Sequence, residues 1–109
     1  MTTKYGKLVR DNIPDIIKTQ GKTPVIRILS DEEYLACLKE KLVEEVGEFQ
    51  ADTCLEEFCD ILEVLDAIKA HMGFSDVSIQ DSKNSKRLKN GGFEKRLFLE
   101  EVTTNLTNY

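Results

Sequence analysis

Two pairs of acidic residues have a spacing suited to chemistry: Glu45 with Glu48, and Glu57 with Asp60. Each pair is separated as i, i+3, which on an α-helix puts both carboxylates on one face. If the two helices are consecutive arms of a hairpin, four carboxylates converge on the groove between them. Gathered without cations, they raise one another's pKa and oppose folding, so such a cluster calls for a metal. An all-oxygen donor set favours magnesium, manganese or calcium, because one histidine and three unclustered cysteines serve softer metals poorly. Catalytic magnesium typically uses a few carboxylates, with water and substrate phosphates completing its shell. The plain alternative is that acidic residues fall at this spacing by chance and face water. A carboxylate-bridged di-iron bundle fails on its own terms. It needs Glu-x-x-His on two helices, whereas the single His71 is preceded at that spacing by Ile68 and suits a helix C-terminus instead.

The elements that must carry these residues are legible in the apolar pattern. Ser30 and Glu33 have capping-box spacing, and Tyr34, Leu35, Leu38, Leu42, Val46 and Phe49 then recur at helical intervals. On a wheel of about 100° per residue, Glu45 falls inside this apolar arc, Glu48 at its border and Glu44 outside it. Thr53 and Glu56 repeat the capping signal, and Leu55, Phe58, Leu62, Leu65 and Ile68 continue the period until Gly73 breaks it. With Leu55 at zero on the same wheel, Glu57 and Asp60 fall around Val64 and beside Ile61, so both border an apolar surface, and the arms read as a hairpin whose acidic pairs can face one another.

Around the hairpin the expectations are smaller elements. Asp11 is read as the cap of a short helix through Ile13, Pro14, Ile16 and Ile17, ended by Gly21 in a left-handed conformation. The β-rich run from Thr23 to Leu29 predicts a short strand, and Phe93 to Val102 a second extended piece able to pair with it. Between them, Ser75 to Lys89 predicts a third long helix stopped by Asn90, Gly91 and Gly92. Residues 1–102 form one domain on this reading, and residues 103–109 a polar tail. The fold class is mainly α, with a hairpin and a third helix completing a four-helix-type core through oligomerisation.

Composition narrows the partners. The chain has 109 residues, of the order of one small domain, and a domain of that size gains from self-association into a dimer or tetramer. A net charge of −5 repels a nucleic-acid backbone, so nucleic acid is excluded while a free nucleotide carrying its own metal is not. No apolar run has the length of a signal peptide or a membrane span, which points to a cytoplasmic location and no membrane partner. Cys37, Cys54 and Cys59 are odd in number and lack redox or metal-ligand spacing, as expected of reduced thiols.

The segment Glu44-Glu45-Val46-Gly47-Glu48, followed by Glu57-Phe58-Cys59-Asp60, resembles the EExxE and ExxD signature of the MazG-like, all-α nucleotide pyrophosphohydrolase superfamily. The flanks are similar to its phosphoribosyl-ATP pyrophosphohydrolase-like subgroup: Lys7-Leu8-Val9-Arg10-Asp11 with Ile13-Pro14 near the start, and Gly91-Gly92-Phe93-Glu94 with Arg96-Leu97-Phe98-Leu99 near the end. The resemblance implies magnesium on Glu45, Glu48, Glu57 and Asp60, and hydrolysis of a nucleoside triphosphate to monophosphate and pyrophosphate. It also implies dimers, or dimers of dimers, that complete a four-helix core. Glu45 and Glu48 are the candidate catalytic carboxylates, Glu48 the more mutation-sensitive. Lys83, Lys86, Arg87 and Lys89 are the candidate phosphate-binding cations. Asn12 and Asn90 depart from the subgroup, which commonly carries lysine and arginine there. Two other readings stay open: phosphoribosyl-ATP pyrophosphohydrolase itself, and a helical dimerisation module that binds a nucleotide without turnover.

Overall fold

In the computed structural model, which describes residues 1–106, the chain is all-helical among the described residues: α1 (Ile13–Thr19), α2 (Asp31–Ala51), α3 (Leu55–Met72) and α4 (Asp76–Asn90). It divides into two units, Met1–Phe74 and Ser75–Tyr109. The first holds α1 to α3 and the second holds α4.

The hairpin is built as its sequence dictates. Ser30 caps α2 in a complete capping box: its Oγ accepts from the Glu33 amide at 3.3 Å, and the Glu33 carboxylate accepts from the Ser30 amide at 3.2 Å. Asp31, Glu32 and Glu33 put negative charge at the positive end of the helix dipole. Helix α3 ends at Gly73 with φ of 72°, a left-handed cap that glycine adopts without a Cβ penalty. Two aromatic pairs fasten the two ends of the hairpin. Tyr34 meets His71 edge-on with ring centroids 5.2 Å apart, and Phe49 meets Phe58 at 6.1 Å. His71 thus sits in the last turn of α3 and also packs on the first turn of α2.

Four expectations need correction. Helix α1 starts at Ile13 with Asn12, not Asp11, as its N-cap and no side-chain cap; Pro14 in the first turn supplies the fixed φ instead. Gly21, φ 76°, does follow its end. Helix α3 is capped by Cys54 without a side-chain bond, because the Thr53 hydroxyl donates back to the Phe49 carbonyl at 3.1 Å and so finishes α2 rather than starting α3. Thr23 to Leu29 forms no strand, and Val25 and Ile28 stand exposed. Within it, Arg27 makes a two-pronged ion pair with Glu33, at 3.1 and 2.7 Å, that ties the segment to the start of α2 rather than to a sheet. Phe93 to Val102 forms no strand either. Its start closes as a turn, the Arg96 amide donating to the Phe93 carbonyl at 3.1 Å, with Arg96 itself at a positive φ of 58°.

Helix α4 matches its predicted extent. The Ser75 hydroxyl accepts from the Ser78 amide at 3.1 Å, and Gly91 ends the helix at φ 84°. In the second unit Arg87 also pairs with Glu94. Of the tail, residues 103–106 carry no regular element and are exposed, and 107–109 lie outside the described residues.

Burial is sparse. Among the described residues only Leu38 (3% exposed) and Val64 (8%) are buried, one from each arm of the hairpin. Val43, Leu55, Phe58, Leu62 and Leu65 of the same arms stay exposed. A helix pair covers one stripe of each partner and leaves the rest to another layer. No helix among the described residues is long and apolar enough to cross a membrane.

Candidate metal centre in the helical hairpin

Because α2 and α3 run antiparallel and pack together, the late turns of α2 lie beside the early turns of α3. Glu45 stands on the inward side of α2. Its side chain is 14% exposed against 37% for its neighbour Glu44, the order that the helical wheel gives. From α3, Glu57 and Asp60 reach the same place, one helical turn apart. The result is a trio, Glu45, Glu57 and Asp60, each half-buried and each offering a carboxylate oxygen, with these atoms all within 4.8 Å of one another.

Glu48 stands outside this trio and is exposed, yet its charge reaches Glu57. The Glu57 carboxyl is pushed above its ordinary value, first by partial burial and then by the charges of Asp60, Glu48, Glu45 and Asp52.

Three cations from the first unit approach this acidic surface. Arg10 Nη2 donates to Asp60 Oδ1 at 2.8 Å. Lys41, one turn earlier on α2, lies 3.7 Å from Glu45 and 3.2 Å from Glu44, and is itself mostly covered at 17% exposure. Lys7 lies 3.5 Å from Glu44. The hydrogen bond from Lys41, ahead of the charges of Lys41 and Lys7, holds the Glu44 carboxyl below its ordinary value. Glu44, at the wrong angle for the groove, is thus a structural carboxylate.

The sequence reading did not anticipate Arg10 or Lys41. Lys41 was findable, since it precedes Glu45 by four residues on one helix. Arg10 was not, because 50 residues separate it from Asp60 and only the packing of the chain joins them.

Lys83, Lys86, Arg87 and Lys89 all lie on α4 in the second unit, and all are exposed. Lys83, Lys86 and Arg87, at i, i+3 and i+4, share one face of the helix. Arg87 is engaged by Glu94, which holds the Glu94 carboxyl below its ordinary value. Cys37 and Cys54 are half-buried free thiols and Cys59 an exposed one, all three on or beside the hairpin.

No family profile and no solved structure matches the chain. Among curated proteins, an uncharacterized protein of Mycolicibacterium smegmatis (strain ATCC 700084 / mc(2)155) is 60% identical over 46 residues, covering 42% of this chain and 47% of that protein. The matched stretch spans about half the length of that relative, whose name assigns no activity.

Proposed function

We propose that this chain is a magnesium-dependent nucleotide pyrophosphohydrolase that cleaves a nucleoside triphosphate, canonical or modified, to monophosphate and pyrophosphate. The observation that carries the reading is the meeting of Glu45, Glu57 and Asp60 from two helices.

The donor set fits a hard divalent cation. Two oxygens opposite one another across magnesium stand about 4.2 Å apart, twice a bond of about 2.1 Å. The trio's oxygens all lie within 4.8 Å of one another, so closing them on such an ion asks for no more than a small rotation of side chains that are only half-buried. The cluster offers oxygen alone, with no thiol or imidazole, which favours magnesium, or manganese in its place. The raised Glu57 carboxyl supports the same reading, because a site where negative charge is in excess gains by taking up a cation.

Glu45, Glu57 and Asp60 would hold the ion, with Glu48 at the edge of the groove. When bound, magnesium polarises phosphate oxygens, lowers the pKa of bound water and stabilises the pyrophosphate that leaves. Glu48, exposed beside the trio, accepts on a carboxylate oxygen the proton of the water that attacks the α-phosphorus. The bond from that phosphorus to the bridging oxygen breaks, and pyrophosphate departs. Lys83, Lys86, Arg87 and Lys89 are the proposed phosphate-binding cations on the chemistry of their side chains.

The chain works as a dimer or a dimer of dimers on this proposal. Two buried residues among those described do not make a core, and the exposed apolar residues Val43, Leu55, Phe58, Leu62 and Leu65 on α2 and α3 are the surface that a second hairpin would cover.

The test is pyrophosphate release from canonical, deoxy and oxidised nucleoside triphosphates and from phosphoribosyl-ATP, with magnesium or with chelator, for the wild type and Glu48→Gln. Metal-dependent release that the substitution abolishes is the expected result, and the panel ranks the substrates. A folded protein that turns over none of them, while magnesium and nucleotide together raise its Tm, is instead a nucleotide-binding module.

A further inference from the structure

The segment ahead of α1 has no regular structure of its own, yet two of its side chains reach the hairpin, one on each arm. Lys7 lies 3.5 Å from Glu44 on α2, and Arg10 donates to Asp60 on α3 at 2.8 Å. The two anchors differ in what they touch. Glu44 is outside the carboxylate trio, whereas Asp60 belongs to it. We propose that Arg10 is a built-in counter-cation of the carboxylate groove, occupying Asp60 until a divalent cation displaces it.

This inference rests on the metal-binding reading above. In the structure Asp60 Oδ1 is already bonded to a guanidinium, so a positive charge stands beside the oxygens a cation needs. A divalent ion on the trio and Arg10 on Asp60 repel one another at short range, and binding of the one loosens the other. Arg10 is the side chain that yields. Its pair with Asp60 is half in water, at 58% and 40% exposure, and screened ion pairs of this kind are weak. Lys41 differs, since it is mostly covered and reaches Glu44 and Glu45 from within α2. The consequence is a groove whose charge is partly neutralised before metal arrives and whose affinity for metal is set partly by how firmly Arg10 holds on.

Calorimetric titration of Mg2+ into the full chain tests this, comparing wild type, Arg10→Gln and Lys7→Gln. Both substitutions remove one positive charge from the same segment, and only the first removes it from the trio. Arg10→Gln is expected to bind Mg2+ about fivefold more tightly, in keeping with an exposed ion pair, and Lys7→Gln within about twofold of wild type. In unaltered protein, Mg2+ is expected to move the Arg10 Nε–Hε resonance to the position of a free arginine, a reading that needs no variant to fold. Equal or weaker binding by Arg10→Gln, an equal gain from Lys7→Gln, or an unmoved resonance while Mg2+ binds overturns the role of Arg10 and leaves the metal site standing. Absence of Mg2+ binding at millimolar concentration in wild type and Arg10→Gln alike overturns both.

Discussion

Helix α2 carries acidic groups at its start and again in its later turns, and the chain treats the two places in opposite ways. At the start, Glu33 has everything a carboxylate needs: two bonds from Arg27, one from the Ser30 amide, and a helix dipole of favourable sign. Its carboxyl is held down to about 2, chiefly by the bond from Arg27. In the later turns Glu45 faces Glu57 and Asp60 across the groove, and the Glu57 carboxyl is pushed up. One corner is neutralised by the chain itself, whereas the other has charge left over. A structural carboxylate lowers its own pKa through its partners. The raised Glu57 carboxyl reflects its partial burial first and the neighbouring carboxylates second.

The sharpest way to break that contrast is Glu57→Gln. It is expected to lower metal-dependent pyrophosphate release by more than about 100-fold, beyond the loss typical of a partner outside the first coordination shell. The metal-free protein should become more stable, since one member of a repelling cluster is gone. Thermal melting in chelator beside a pyrophosphate assay reads both. A lower Tm with activity retained would make Glu57 a structural group like Glu33.

Ser30→Ala acts on the other corner and should do the reverse. Loss of an N-cap costs about 1 kcal/mol, which lowers Tm by roughly 4–8 °C in a domain near this size. Activity of the folded fraction should be unchanged, and a loss of turnover per folded molecule would join the two corners functionally.

Acid unfolding sharpens the comparison further. With its folded pKa depressed below the ordinary 4.5, Glu33 contributes stability that is present above 4.5 and is lost as pH falls towards about 2. Denaturant melts of wild type and Glu33→Gln should therefore differ at neutral pH and converge across that window. Glu57 has the opposite sign. With its folded pKa raised, ionisation costs stability, and the cost grows as pH rises through the raised value. The smallest effect is expected from Glu94→Gln. Its partner Arg87 is exposed, so Tm should stay within about 1 °C of wild type. A larger shift would mean that the turn after α4 depends on that pair.

The start of α2, the ends of α3 and α4, and the inward angle of Glu45 were all legible in the residues. Each follows from contacts within one helical turn: Ser30 with Glu33, glycine at a positive φ, and apolar neighbours three or four places away. The same local logic misread Thr53. A hydroxyl at the junction of two helices has a carbonyl behind it as well as an amide ahead, and here it took the Phe49 carbonyl. It misread Thr23 to Leu29 because β-rich composition describes how a segment fits a sheet and does not supply the neighbouring strand that makes one.

By itself, then, the sequence determined the helices, the start of α2, the glycine ends of α3 and α4 and the inward angle of Glu45, since these depend on residues a few places apart. Tertiary structure alone decided that Glu45, Glu57 and Asp60 meet within 4.8 Å while Glu48 stands aside, and that Arg10 lies on Asp60. Those outcomes join residues far apart along the chain, and they depend on how two helices pack. Periodicity gives the direction in which a side chain leaves its own helix and carries no information on what it will find there.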